Sequence, residues 1–296
     1  MIQSGLVLVD KPSGWTSHDV VAKLRKILGT KKIGHAGTLD PLATGLLVLG
    51  INAGTKLLTF IVGHDKTYRA TIRLGSATIS DDSESEVIFS AEKEKLSAIS
   101  MEEINSELAR FRGKIKQRPS SVSAIKIQGK RAYDLVRSGE EVLLESREVT
   151  VHSFEILEPP TMGPDFIDLE VEVVCSSGTY IRALARDLGE ALGVGGHLTK
   201  LRRLKVGSYD VANATEVDNL ESVKIIELSQ AANELFPLIP ITPEQVIDVI
   251  HGKKLANFSN QGLVGVVSDQ GKLVAVMEGG GMDLKSVVVF QGEING

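Results

Sequence analysis

Gly34-His35-Ala36-Gly37-Thr38-Leu39-Asp40-Pro41-Leu42-Ala43-Thr44-Gly45 reads as a loop that feeds straight into the apolar run 46–49. Its three glycines admit backbone angles closed to other residues and let another molecule come close to the main chain. Asp40 precedes Pro41, and a residue before proline is pushed out of helical geometry into an extended one. A carboxylate so constrained can be aimed. An Asp in this setting also caps turns by accepting a hydrogen bond from the backbone two residues on, and spacing alone leaves both roles open.

On the N-terminal side, residues 6–9 form a short apolar strand that runs into a Lys11-Pro12-Ser13-Gly14 turn. A helix follows, capped by Thr16 or Ser17, with Val20, Val21, Leu24, Ile27 and Leu28 on one face and Gly29 as its stop. On the C-terminal side, residues 67–74 alternate. Tyr68, Ala70, Ile72 and Leu74 share one side of a half-buried strand, which turns Tyr68 inward. Ser100 and Glu103 make a capping box for a helix to about Phe111. Residues 147–157 and 166–175 read as strands, and 179–192 as a helix closed by Gly193. Near Ile239 the organisation changes. Thr242, Pro243 and Gln245 supply a cap, a first-turn proline and a box partner for a helix, and short β-like runs at 263–267, 273–278 and 286–290 follow it.

With 296 residues, 42% hydrophobic and 24% charged, the chain is globular, with one large domain or one large and one small. No apolar run reaches the roughly 18 residues of a membrane span, and the N-terminus lacks a basic stretch followed by a long apolar core, so a cytoplasmic protein is expected. Cys175 is the single cysteine, which excludes an internal disulfide or a cysteine-based zinc site. It reads as a small buried hydrophobe. The net charge of -5 argues against indiscriminate coating of nucleic acid, but positive residues bunch at 23–32, 110–118 and 200–205, and acid at 80–86. Taken alone, such clusters read as solvated surface.

Common chemical signatures fail. Gly29 and Gly34 have phosphate-loop spacing, but His35 and Ala36 stand where Lys and Ser or Thr are required. Gly193, Gly195 and Gly196 open like a dinucleotide fingerprint, yet Leu198 holds the last glycine position. There is no G-x-S-x-G elbow and no histidine pair at metal-ligand spacing.

The segment 34–47 resembles the catalytic motif of the TruB pseudouridine synthases, G-H-x-G-x-L-D-P-x-A-T-G-x-L, at every fixed position. The resemblance continues in order. VDKPSGWTSHDVV (9–21) is similar to the family's N-terminal motif and KTYRATIRLG (66–75) to its tyrosine-bearing strand. SSGTYIRALARDLG (176–189) and GGHLTKLRRLKVG (195–207) are similar to its third motif. The resemblance implies an α+β fold with a mixed, largely antiparallel central sheet and flanking helices, plus a small C-terminal β-rich PUA-like domain. The expected division is 1–238 for catalysis and 239–296 for RNA binding.

It further implies isomerisation of uridine 55 in the T-loop of tRNA to pseudouridine, without cofactor, metal, guide RNA, membrane or obligate protein partner. Asp40 takes the place of the family's nucleophile, Tyr68 of the tyrosine that stacks on the base and is linked to the C5 proton, and Arg182 of the arginine that pairs with the aspartate. His35 matches the residue that fills the gap left in the T-loop. Lys11, Tyr180 and Leu201 match positions at the substrate, and the basic stretches Lys23 to Lys32, Arg110 to Lys130 and Arg202 to Lys205 would line the tRNA cleft. The chemistry is coherent with these residues. Uracil is detached at N1, turned and rejoined through C5, which requires one nucleophile and no external reagent. A neighbouring guanidinium opposes the upward push of burial on a carboxyl pKa. Flipping a base out costs a few kcal/mol, and aromatic stacking returns about 1–3 kcal/mol.

The chain departs from the family at Gln117 to Lys126, where Ser120 and Val122 replace a proline and a tyrosine, and at Thr78 to Ser85, where a T-D-T-x-D-x-x-G pattern is blurred. Altered loop contacts near the RNA, with catalysis retained, are the expected consequence, and fine substrate preference is left open. A non-catalytic tRNA-binding or tRNA-folding protein and a guide-dependent synthase subunit are the competing readings. A glycosidase would require a second acid near Asp40.

Overall fold

The computed structural model describes residues 3–120, 126, 127, 130, 131, 145–256, 258 and 261–291. They form two compact units, one of residues 1–41, 45–63 and 207–296, the other of 42–44 and 64–206.

In the first unit, the strand Gly5–Lys11 is buried on both faces through its apolar run and pairs antiparallel with Thr44–Ile51, Val9 opposite Leu47. Ile33–His35 adds antiparallel to that second strand, so Gly34 and His35 belong to sheet where a loop was expected. Thr215–Glu216 lies parallel beside Gly5–Lys11, which makes the sheet mixed. The helix Ser17–Leu28 begins at the Thr16/Asp19 capping box and ends at left-handed Gly29. Val20, Val21 and Leu24 pack with Val7, Val9, Leu47 and Leu49.

The same unit holds a five-stranded sheet in the order Leu238–Pro240, Gly262–Val267, Leu273–Gly279, Asp283–Val289, Leu255–Ala256. Thr242 caps the helix Pro243–Ile250 with a full box to Gln245, and Val246 and Val249 join Val264, Val266, Val274 and Met277 in a separate core. The expected β-rich C-terminal element is present. Its two-residue strand 255–256 and the strand 238–240 were too short to show any period in the sequence.

The second unit is an antiparallel sheet in the order Gly196–Val206, Lys66–Leu74, Ile167–Cys175, Arg147–Ile156, Gly113–Gln117. IDLEVEVVC alternates buried and half-buried along its whole length. On Lys66–Leu74 the alternation holds except at Thr71, which is buried and donates to the Glu170 carboxylate on the neighbouring strand. Met101–Arg110 is the helix opened by the Ser100 box, with Phe111 at its end. Ile181–Ala191 starts two residues later than its sequence pattern suggests, because Thr179 N and Oγ1 both bond to Ser176 O in a preceding turn. This helix lies so close to the strand after it that a Cβ on Gly189 would stand 2.1 Å from Gly196 N. Cys175 is buried, with its thiol pushed up to about 11 by burial. Among the described residues no helix is long and apolar enough to cross a membrane, and no cluster of metal-ligating side chains occurs.

Candidate active site

In the first unit the segment carrying Asp40 is held from both ends. Ser17 Oγ, at the start of the capped helix, donates to Leu39 O (3.2 Å) and accepts from Leu39 N (2.9 Å). On the other side Pro41 O accepts from Gly14 N (2.9 Å) and from Lys11 Nζ (3.3 Å). Gly37 and Gly45, with φ of 99° and 98°, make the bends on either side that other residues rarely adopt. Asp40 itself is half-buried. Both residues flanking Asp40 are therefore anchored through backbone atoms, which restricts the directions its side chain can take.

Lys11 is fully buried, and its ammonium also donates to Pro12 O (2.9 Å) and Trp15 O (2.6 Å). The structure gives Lys11 the task of tying the 11–15 turn to the Asp40 loop, which the resemblance did not assign. Lys11→Met should leave those carbonyls short of a charged donor and lower the unfolding free energy by about 1–3 kcal/mol. Urea unfolding checks this, and an unchanged midpoint would show that the carbonyls find other partners. His35 closes the short strand 33–35, with its ring edge-on to His18 at 5.9 Å between centroids.

Four candidate residues lie in the second unit. Tyr68 is 7% exposed on the strand Lys66–Leu74, facing inward as its alternation predicts. Leu201, 8% exposed, sits opposite Ala70 on the adjoining strand. Thr44, from the glycine-rich segment, donates its hydroxyl to Leu201 O (3.4 Å) and accepts from Arg202 (3.4 Å). Tyr180 is the N-cap of the helix Ile181–Ala191, and its backbone is clasped by Gln117, which accepts from Tyr180 N (2.8 Å) and donates to Tyr180 O (3.0 Å). Arg182, two residues on, is 6% exposed; its Nη1 donates to Ser80 O (2.8 Å) and lies 3.4 Å from Asp82 Oδ2.

Two of these partners were missed in the sequence. Asp82 sits in an acidic run that reads as solvated, yet Ser80, Asp81 and Asp82 are all buried. Gln117 was visible only as part of an atypical segment, of which Ser121 to Ile125 lie outside the described residues. The basic clusters are also uneven. Lys26, Lys31 and Lys32 are exposed, whereas Arg110, Arg112 and Lys114 each hold an acidic partner and Arg203 is 1% exposed. Arg203 therefore drops out of any phosphate-contacting set.

Residues 25–181 match the family described as TruB family pseudouridylate synthase (N terminal domain). The chain belongs to the TruB family. Two further TruB matches follow it, tRNA pseudouridylate synthase B C-terminal domain over 182–240 and tRNA Pseudouridine synthase II, C terminal, over 236–291. The protein named tRNA pseudouridine synthase B from Leifsonia xyli subsp. xyli is 52% identical over 295 residues, covering 98% of this chain and 97% of that one. Its namesake from Arthrobacter sp. is 49% identical over 299 residues, covering 97% and 96%. Of solved structures, a Cbf5-Nop10-Gar1 complex aligns with a TM-score of 0.70 at 26% identity over 97% of this chain and 85% of that one. An H/ACA RNP bound to a substrate RNA containing 2'-deoxyuridine aligns at 0.69 and 25% over 97% and 84%. The TruB member described here is a pseudouridine synthase, with the mixed, largely antiparallel sheet and flanking helices expected of the fold.

Proposed function

We propose that this chain isomerises uridine 55 in the T-loop of tRNA to pseudouridine, with Asp40 as the nucleophile. The observation that carries the reading is the anchoring of Leu39 and Pro41 on either side of Asp40, within a chain about half identical to proteins named tRNA pseudouridine synthase B. An ionised carboxylate held in one direction is what covalent catalysis asks of its nucleophile. The bond from N1 to the ribose breaks, the uracil turns, a bond forms from C5 to the same ribose carbon, the C5 proton leaves to solvent, and N1 takes up a proton in its place. Atoms balance without a second substrate. In this scheme Tyr68 stacks on the flipped base, Arg182 supplies a positive charge to the nucleophile's carboxylate, and His35 fills the space the nucleotide vacates. Tyr180 and Leu201 bound the base, and Lys11 serves by holding the loop. Residues 239–296 add an RNA-binding domain, and the enzyme works in the cytoplasm without a guide RNA.

The test is tritium release from C5-labelled uridine in an unmodified tRNA transcript, with the product position mapped. Pseudouridine at position 55 is the expected result. Tight tRNA binding without release would favour a tRNA-binding or folding role. The exposed Lys26, Lys31 and Lys32 are assigned to phosphates, which position the RNA without reading its sequence. Replacing all three with Ala should weaken tRNA binding and reduce the slope of log K against log salt by about 2–3. An unchanged slope would put them on an ordinary solvated face.

A further inference from the structure

Two consecutive carboxylates of the 78–85 loop meet two arginines one helical turn apart. Asp82 and Ser80 O engage Arg182, while Asp81, between them, turns to Arg186, whose Nη1 donates to its Oδ2 at 3.1 Å. Arg182 and Arg186 are four residues apart on the helix Ile181–Ala191 and so project from one face. Arg186 and Asp81 are 8% and 7% exposed. Burial pushes the Asp81 carboxyl up, and the Arg186 and Arg182 charges oppose it. Arg186 is itself fixed, with Nη2 donating to Arg118 O (2.8 Å) and to Asp187 Oδ1 (2.7 Å) and Nε donating to the same oxygen (2.9 Å).

The backbone shows what this pair holds in place. Asp81 has φ 61°, a left-handed conformation that side chains rarely adopt and that persists where the surroundings enforce it. Its carbonyl accepts from Leu198 N (3.0 Å), Asp82 bridges to Leu198, and Thr78 Oγ1 donates to Asp82 O (2.7 Å). The left-handed residue makes the chain reverse direction there. Ser80 O and the Asp82 carboxylate can then face one arginine together while Asp81 faces the other.

We propose that Arg186 and Asp81 are a positioning pair that sets the turnover of uridine isomerisation by fixing the loop from which Ser80 and Asp82 hold Arg182. The inference rests on the function proposed above, in which Arg182 serves the nucleophile. Neither Asp81 nor Arg186 touches substrate in this scheme. Without the ion pair, Asp81 is released toward negative φ, and the contacts that orient the Arg182 guanidinium shift with it.

The test uses the full chain and a full-length tRNA transcript, comparing wild type with Asp81→Asn, Arg186→Met and the double variant. kcat and KM come from C5 tritium release, tRNA Kd from filter binding, and folding from thermal unfolding. Asp81→Asn keeps the shape and a residue that tolerates left-handed backbone, so it removes the charge and one acceptor oxygen while leaving the backbone preference. Each single variant should lose about tenfold to a hundredfold in kcat, the scale of a misplacement near 1 Å, with KM and Kd held within about twofold. The double variant should be no slower than the slower single, because the Asp81–Arg186 pair is already lost in either one. A folded Asp81→Asn with wild-type kcat, a loss confined to KM or to melting temperature, or fully additive losses would each overturn the proposal. A wild-type chain that releases no tritium would sink the proposed function itself, so the two failures are distinguishable.

Discussion

Asp40→Asn should abolish C5 tritium release from a tRNA transcript, lowering turnover by at least about 10^4-fold, the scale of loss when a covalent nucleophile is removed. The substitution is nearly isosteric. The anchors at Leu39 and Pro41 use backbone atoms, so the loop keeps its path and tRNA affinity should stay close to wild type. What disappears is the carboxylate oxygen. An amide is too weak a nucleophile to form the covalent intermediate, and no protonation or metal can restore it. The measurement is single-turnover tritium release at saturating enzyme, which removes product release from the comparison. Residual release within about tenfold of wild type would mean that Asp40 shapes the loop and another group attacks.

Arg182→Met should cost about 3–5 kcal/mol of stability as well as activity, the penalty for removing one partner of a buried ion pair. Asp82 is 3% exposed, and on losing Arg182 it keeps hydrogen bonds from Ser80 Oγ and Glu84 N but no direct cation among the described residues. Ser80 O loses its charged donor as well. Turnover should fall by about 10^2- to 10^3-fold, as for loss of one preorganised electrostatic partner. Adding Asp82→Asn to Arg182→Met removes the stranded charge and should recover much of the stability but none of the activity. That split is the informative outcome. If urea unfolding shows no change on Arg182→Met, Asp82 is not dependent on this arginine. If the double variant recovers activity too, Arg182 has no part in the chemistry.

Much of the framework was legible because it rests on local rules. The capping boxes at Thr16, Ser100 and Thr242 each start a helix where the sequence places it, since the box is closed by residues three apart. The alternation of residues 67–74 needed no tertiary information, and it turned Tyr68 inward correctly; the strand at 166–175 was legible too. Elements that lack local signals were missed. Gly34 and His35 form strand only because Gly50 and Leu49 lie opposite them, and strands 238–240 and 255–256 exist only through their neighbours in the sheet.

The candidate site divides along the same line. Asp40, Tyr68 and Arg182 could be picked out because each sits inside a motif whose residues are close in sequence. The partners that hold them could not. Ser17 and Leu39 are 22 positions apart, Gln117 and Tyr180 are 63 apart, and Ser80 and Arg182 are 102 apart. An acidic run such as Ser80-Asp81-Asp82 reads as solvated because isolated carboxylates seek water. Buried arginines reverse that preference, and their positions depend on how the helix 181–191 packs. By itself the sequence identified the family through its motifs, nominated the candidate side chains, and placed most element starts through local hydrogen bonding and periodicity. Only the tertiary structure decided which buried charges meet, that Lys11 serves its own backbone, and that Arg203 is withdrawn from solvent, because burial and pairing of charge are properties of the packed chain.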